Sequence, residues 1–222
     1  MRLRCPSSFA ASALALGSLV LFAAQAASAV GIMRITEWMY NGDEFVEFTN
    51  VGDASIDLTG WSFDDNSRAA GSVSLSAFGS VAAGQSVILS ESAAAAFRTN
   101  WGLTASVSVI GGNTNNLGRA DEINLYDAGG ALIDRLTYDD QTIGGPRTLN
   151  VSGNILRANL GANAANLAAL SFVGDAFGTR TSGSGGFLAN PGSYPVPEPD
   201  AIALAAFAVT TLAIARRGRR SA

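Results

Sequence analysis

The sequence predicts a mainly β protein: a β-sandwich with one short helix, preceded by an N-terminal signal peptide and followed by a single C-terminal transmembrane helix. Three observations support this prediction. Short apolar or alternating runs are separated by turns rich in Gly, Asn, Asp and Ser, an apolar stretch follows two arginines near the N-terminus, and a second apolar run precedes four arginines near the C-terminus. The predicted organisation is a signal peptide over residues 1–29, a domain over residues 30–193 and a C-terminal signal over residues 194–222.

The first 29 residues match the three parts of a secretory signal peptide. Arg2 and Arg4 form its basic region, residues 9–24 form its apolar region, and Ala27 and Ala29 are the small residues of a cleavage site. We therefore expect cleavage after Ala29. Because Cys5 is the only cysteine of the chain, the mature protein is expected to have no disulfide.

The domain is predicted to contain eight strands. Short strands at regular spacing, with turn residues between them, are typical of a β-sandwich. The predicted strands are residues 32–40, 44–49, 56–63, 73–75, 86–90, 107–110, 122–126 and 132–138.

Two local patterns refine this prediction. In the run 56–63 the apolar residues change from even to odd positions, so a bulge at Gly60 is expected to place Ile56, Leu58, Trp61 and Phe63 on one face. Residues 90–98 combine a serine cap, an early acid and an alanine run, which predicts the one short helix.

Several of these runs also carry a family pattern. Residues 35–37 (Ile-Thr-Glu), 44–50 (Glu-Phe-Val-Glu-Phe-Thr-Asn) and 57–63 (Asp-Leu-Thr-Gly-Trp-Ser-Phe) come first, and a hairpin with an Asp-x-x-Gly turn follows at residues 121–138. This set resembles the lamin-tail domain over residues 30–140, with a looser likeness at residues 163–192. The resemblance implies an immunoglobulin-like sandwich, which in exported bacterial proteins is commonly a surface or appended binding module.

The C-terminal region has three adjoining parts. Val196-Pro197-Glu198-Pro199 is followed by the apolar run 201–215 and then by Arg216, Arg217, Arg219 and Arg220. The prolines disfavour a helix, so the motif is expected to be extended and accessible to a processing enzyme. A fifteen-residue helix is about 22 Å long against a hydrocarbon core of about 30 Å, which makes a marginal membrane span. The arginines are expected to stay in the cytoplasm.

This order of parts resembles the sorting signal of PEP-CTERM proteins, which an exosortase is thought to recognise and cut. The resemblance implies an exosortase-type enzyme as a partner, transient anchoring in the inner membrane, and a final place at the cell surface or in the extracellular matrix. Extracellular polysaccharide is then a candidate partner. The alternative is an ordinary single-span anchor with incidental prolines, in which Glu198 is a solvated charge.

Composition excludes several classes of function. The chain has 14 arginines, no lysine and no histidine, and residues 30–196 carry sixteen acids against eight arginines, a net charge of −8. Such a balance disfavours nucleic acid as a partner. Without histidine or a mature cysteine, Ser-His-Asp and Cys-His catalysis and His-ligated zinc are excluded. We assign no catalytic residue, no metal ligand and no cofactor.

Two hypotheses remain for the function. The first is a non-enzymatic exported protein whose sandwich is a binding or structural module. The alternative is an extracellular carboxylate-dependent hydrolase, or a calcium-dependent glycan binder, on the same fold. For the hydrolase, Glu47 with Glu37 or Glu44 could supply the carboxylates, but we favour an outward-facing polar residue, or one that bonds a neighbouring loop.

Other residues also have two interpretations. Trp61 could stack on a sugar but is expected in the core, whereas Trp38 and Trp101 stay undecided, with Trp101 a candidate for the surface. The pairs Asp64-Asp65 and Asp139-Asp140 could bind calcium but are expected to cap turns. Residues 182–186 are expected to be a flexible linker.

Overall fold

The computed structural model describes residues 28–195, which form fourteen strands, one α-helix and three single-turn 3₁₀ helices. The strands are β1 Met33–Met39, β2 Phe45–Asn50, β3 Ile56–Asp57, β4 Ser62–Asp64, β5 Val73–Ser74, β6 Ser80–Val81, β7 Ser86–Ser90, β8 Ser108–Gly111, β9 Ala120–Tyr126, β10 Leu132–Asp139, β11 Gly153–Asn154, β12 Ala169–Leu170, β13 Arg180–Thr181 and β14 Leu188–Ala189. The α-helix, α1, is Ala94–Trp101, and the 3₁₀ helices are Ser76–Phe78, Arg157–Asn159 and Ala165–Leu167.

Most of the predicted targeting signals fall outside these residues. The apolar part of the signal peptide, the motif at Val196–Pro199, the span 201–215 and the terminal arginines are not described, so they stay predictions. No helix between residues 28 and 195 is both long enough and apolar enough to cross a membrane.

The strands assemble into two main sheets. The six-stranded sheet has the order β12-β11-β1-β2-β7-β8, and the four-stranded sheet has the order β10-β9-β4-β5. Neighbouring strands are antiparallel except β7 and β8, which are parallel and are joined through α1. Two further pairs, β3-β6 and β13-β14, are short ribbons.

The main core lies between the two sheets. Alternate residues of the six-stranded sheet, such as Val46 and Phe48 of β2, meet Phe63, Ile123 and Leu125 from the four-stranded sheet in one buried cluster. The rings of Phe48 and Phe63 have centroids 6.5 Å apart across this layer. Two sheets that bury their inner faces against each other form a sandwich, which confirms the predicted mainly β fold.

A second core lies on the outer face of the six-stranded sheet. There α1 packs its Phe97 and Trp101 against Phe45 of β2, with ring centroids 5.5 Å and 6.3 Å apart. Trp101 is buried, so the expectation that it could lie on the surface is wrong. The indole is held in place because its Nε1 donates a hydrogen bond of 2.8 Å to Asp43.

A bulge in β1 decides which side chains face outward. The pairing of β1 with β2 shifts between Ile35 and Glu37, so Thr36 is an extra residue in β1. As a result, Ile35 and Trp38 both point into the main core, while Glu37 and Met39 point to the outer face. The bulge thus points the carboxylate of Glu37 away from the sandwich core.

Two predicted elements differ from the structure. The run 56–63 is not one bulged strand but two short strands in different sheets, joined by a turn at Gly60. Gly60 was expected to form a bulge within one strand. It is required instead because its φ is +80° and because a Cβ there would lie 2.9 Å from Cβ of Ala128. The helix starts four residues later than predicted, at Ala94, because Ser90 ends β7.

Residues 141–195 complete the six-stranded sheet, although no strand was predicted in them. β11 pairs with β1, β12 pairs with β11, and residues 188–194 lie over the outer face of the sheet. The predicted flexible linker at residues 182–186 is instead the turn between β13 and β14. It is fixed to α1 by hydrogen bonds of 2.7 Å from the amides of Gly183 and Ser184 to Asn100.

Candidate functional site

Two glutamates meet on the outer face of the six-stranded sheet. Glu37 of β1 and Glu47 of β2 are directly opposite in the register, and both side chains are fully buried. Glu47 faces outward from the main core and bonds a neighbouring loop, as expected, because the amide of Gly192 donates to its Oε2 at 2.6 Å; that loop also shields it from solvent. The loop that covers the pair is the C-terminal segment, residues 188–194, which we call the C-terminal strap.

Glu47 is surrounded by hydroxyl groups. Its Oε1 accepts hydrogen bonds from Thr36 at 3.0 Å, from Thr49 at 3.3 Å and from Ser86 at 3.0 Å, which lie on β1, β2 and β7. With the amide of Gly192 on the other oxygen, both carboxylate oxygens have partners. This pattern suits a buried acceptor that holds the C-terminal strap to three strands.

Glu37 is less completely paired. Its Oε1 accepts hydrogen bonds from the hydroxyl of Ser152 and from the amide of Asn190, the latter at 2.8 Å. Its Oε2 has no hydrogen-bond partner among the described residues, and neither has Oδ1 of Asn154, the residue directly opposite on β11. A buried carboxylate oxygen that accepts no hydrogen bond favours the protonated form of Glu37.

Burial explains the electrostatics of the pair. It raises the pKa of Glu37 well above its usual range, and the negative charge of Glu47 raises it further. Burial also raises the pKa of Glu47, to about 6, against the opposing effect of its hydrogen bonds. Arg180 of β13 is the nearby cation that favours ionisation of Glu37. The two carboxylates are sealed from solvent, so their role in this geometry is to hold the fold.

An open cleft lies between α1 and the β13-β14 turn. It measures about 710 Å³. Asp43 forms its polar end and accepts hydrogen bonds from the hydroxyl of Ser92 and from the amide nitrogen of Asn100, both at 2.7 Å. The lining residues are Asp43, Ser92, Ala95, Ala96, Thr99, Asn100, Gly183 and Ser184. Asp43 is the one carboxylate among them, which suits recognition of hydroxyl groups better than two-carboxylate hydrolysis.

A second groove, of about 420 Å³, runs beside β9 and β10. Its Glu122 forms a two-pronged ion pair with Arg68, at 2.8 Å and 2.6 Å. That pairing lowers the pKa of Glu122 to about 2, so the side chain stays ionised near neutral pH and is a poor general acid. The hydroxyl of Tyr138 has no partner in the described part of the chain, and burial raises its pKa above its usual range.

The other residues that were considered in the sequence lie in the core or in turns. Trp38 and Trp61 are buried in the main core, as expected for Trp61. Asp65 and Asp139 accept hydrogen bonds from the amides of Ser67 and Gln141, at 3.1 Å and 2.8 Å, which confirms the turn-cap interpretation of these two. Asp140 is instead an ion-pair partner of Arg119 and Arg147. Among residues 28–195, no group of three or more acidic side chains is placed to hold a metal ion.

The two ends of the described chain lie next to the predicted processing sites. Ala29 is exposed, and Ala27 is not among the described residues. The amide nitrogen of Val30 lies 2.5 Å from Oδ1 of Asp53. At the other end, the hydroxyl of Tyr194 donates a hydrogen bond of 2.7 Å to the carbonyl of Ile155, and Pro195 is exposed.

Fold and geometry together define an immunoglobulin-like sandwich with a helix and a C-terminal strap on one outer face. The Lamin Tail Domain family matches residues 24–140, more than half of the chain. The chain therefore belongs to that family, as its opening strands indicated. No curated protein matches it.

Proposed function

We propose that this protein is an exported, non-enzymatic surface or matrix protein with a lamin-tail domain as its binding or structural module. In this proposal the N-terminal signal directs export, and the C-terminal motif directs sorting and cleavage by an exosortase-type enzyme. The observation that carries it is the position of the motif: Val196 follows the exposed Pro195, which comes directly after a strap that is fixed to buried groups.

The strap supports sorting because it separates the folded domain from the tail. Tyr194 is buried and hydrogen-bonded to Ile155, so the fold is held up to the residue before Pro195. A protease needs an accessible substrate segment outside the fold. The motif starts two residues after Tyr194 in the sequence, and in this proposal it reaches the enzyme without unfolding of the domain.

The N-terminal end supports export with cleavage after Ala29. Cleavage there would turn the nitrogen of Val30 into an ammonium group 2.5 Å from Asp53. A charge-assisted hydrogen bond is stronger than one from a neutral amide. The mature domain would gain an ion pair at its new first residue.

Substitution of Pro197 and Glu198 by alanine tests the sorting step. In a host with the processing enzyme, this variant is expected to stay full-length and membrane-bound, while the wild-type protein is shortened and released, because the enzyme needs the extended motif. Immunoblots of membrane and medium fractions measure both states. Ser193→Ala, at an exposed residue outside the motif, is the matched control and should be released normally. Equal release of the double variant and the wild type would contradict the proposal.

In this proposal the cleft beside α1 is the ligand-binding site of the module. The candidate ligands are extracellular glycans. Ala96→Trp should obstruct the cleft and abolish saturable binding on a glycan array, because Ala96 is an exposed residue of its wall. Ala83→Trp, exposed on another turn, is the matched control and should bind like the wild type. If the wild-type protein binds no glycan, and calorimetry detects no calcium binding, the module is structural.

A further inference from the structure

Five large apolar side chains are exposed along one edge of the six-stranded sheet. Phe172 and Val173 are the most exposed, at 61% and 66%. The sheet ends with β12, and the five residues lie in or next to β12 and its neighbour β11. We call this set the apolar edge: Leu156, Leu167, Leu170, Phe172 and Val173. Large apolar side chains exposed in one part of a fold are a sign of a contact surface.

The turn that carries the two most exposed residues is held rigidly. Asp175 accepts hydrogen bonds from the amide of Phe172 at 3.2 Å, from Phe177 at 3.0 Å and from Thr179 at 3.1 Å. Its other contact, 2.6 Å from the hydroxyl of Thr179, closes the turn. The turn therefore presents Phe172 and Val173 outward in one fixed arrangement.

The chain leaves the described fold beside this edge. The hydroxyl of Tyr194 bonds to the carbonyl of Ile155, the residue before Leu156. Its ring also packs on Phe177, with centroids 6.0 Å apart, in the same turn as Phe172. The six residues from Pro195 to the start of the apolar run can span at most about 20 Å. A membrane that held the run would lie within reach of the apolar edge.

Charge also favours this edge. Residues 28–195 are acidic overall, with sixteen acids and eight arginines, but the exposed Arg157 directly follows Leu156 of the apolar edge and forms no ion pair among the described residues. The other two arginines of residues 141–195 face acids: Arg147 pairs with Asp140 at 3.7 Å, and Arg180 lies beside the buried Glu37 and Glu47. An anionic lipid surface attracts Arg157 and repels the acidic remainder of the domain.

We infer that the apolar edge contacts the interfacial layer of an anionic bilayer, with Phe172 and Val173 inserted, while the tail holds the protein at the membrane. This inference rests on the proposed anchoring by residues 201–215. The contact fixes the orientation of the domain: the acidic body points away from the lipid, and the exit of the chain faces it. Amphipathic surfaces with exposed Phe and Leu bind interfaces in this way.

A fluorescence experiment on the full chain tests the contact. In a Cys5→Ser background, Val173→Cys carries an environment-sensitive dye, and the protein is reconstituted into vesicles of phosphatidylcholine and phosphatidylglycerol. Ala83→Cys is the matched control, because the turn before β7 lies four strands away, about 19 Å across the sheet. We expect nitroxide-labelled lipid to quench the dye at residue 173 several-fold more than the dye at residue 83, and more strongly with phosphatidylglycerol than without.

The outcomes separate this inference from the proposed function. If the protein floats with the vesicles but both dyes are quenched equally, the anchoring holds and the lipid contact is overturned. A dye at residue 173 that is shielded from water without lipid quenching indicates a second copy of the chain on the edge, which also overturns the inference. Protein that does not float with the vesicles overturns the proposed anchoring, and the inference with it.

Discussion

Raising the pH from 5 to 8 is expected to lower the free energy of unfolding. The folded protein holds protons on buried carboxyl groups more tightly than the unfolded chain, in which a glutamate pKa is about 4.3. Burial raises the pKa of Glu47 to about 6 and that of Glu44 to about 7, and Glu37 is raised well above its usual range. Their stabilising contribution is complete below about pH 4.3 and is lost as the pH rises through 6 and 7.

The expected size of this loss in the free energy of unfolding can be taken from Glu47 alone, which is fully buried. A rise from the model-compound range to about 6 corresponds to a loss of roughly 2 kcal/mol above pH 7. On the acid side, Glu122, with its pKa of about 2, loses its contribution as the pH falls towards 2. Urea unfolding at several pH values should therefore show greatest stability near pH 4 to 5.

Glu37→Gln is the matched variant for this pH dependence. An amide group keeps an acceptor for Ser152 and the amide of Asn190, and it stays neutral at every pH. We expect the variant to match the wild type at pH 5 and to be more stable at pH 8. An unchanged slope of stability against pH would show that Glu37 does not take up a proton on folding.

Replacement of Glu47 by alanine is expected to lower the free energy of unfolding by roughly 3 kcal/mol, because a buried donor without an acceptor costs about 1–3 kcal/mol and a cavity adds to this. The amide of Gly192 loses its acceptor, and the hydroxyls of Thr36 and Ser86 each lose one of their partners and keep Thr49. Hydrogen exchange should show the amides of Asn190 and Gly192 opening faster than the strands beneath them, since the strap is released first.

Glu47→Gln is the control for this variant. Its side-chain oxygen can still accept from the amide of Gly192, and its NH₂ can donate to the surrounding hydroxyls, which are free to rotate. It should keep most of the protection of the strap. If Glu47→Ala left the exchange of Gly192 unchanged, the strap would be held by its other contacts.

The strands with alternating apolar and polar residues could be predicted from the sequence. The short strands β11 to β14 and the C-terminal strap could not. Runs such as residues 45–50 and 120–126 bury one face against the sandwich core, which leaves a period-two signal. In contrast, β11 to β14 have two residues each, too few for any periodic pattern. Their places are set by partners far away in sequence, such as Trp38 opposite Gly153.

The burial of the carboxylate pair could not be predicted for the same reason. Alternation correctly placed Glu47 on the face away from the core side chains Val46 and Phe48, and outward-facing positions on a sandwich strand are usually solvated. Here the strap, whose amides at Asn190 and Gly192 bond to the pair, covers that part of the outer face. The hydroxyl groups of Thr36, next to Glu37, and of Thr49, two residues after Glu47, were the local signal of a buried polar layer.

The strap also determines which part of the domain can fold last. The hydrogen bond from Asn190 to Glu37 joins residues 153 positions apart. Strand β1, which is synthesised early, is therefore covered by residues at the C-terminal end of the domain. Contacts this distant in sequence slow folding, because a long loop must close before they form. A growing chain therefore carries an uncovered part of the outer sheet face until residues 188–194 emerge, an interval in which a chaperone could bind it.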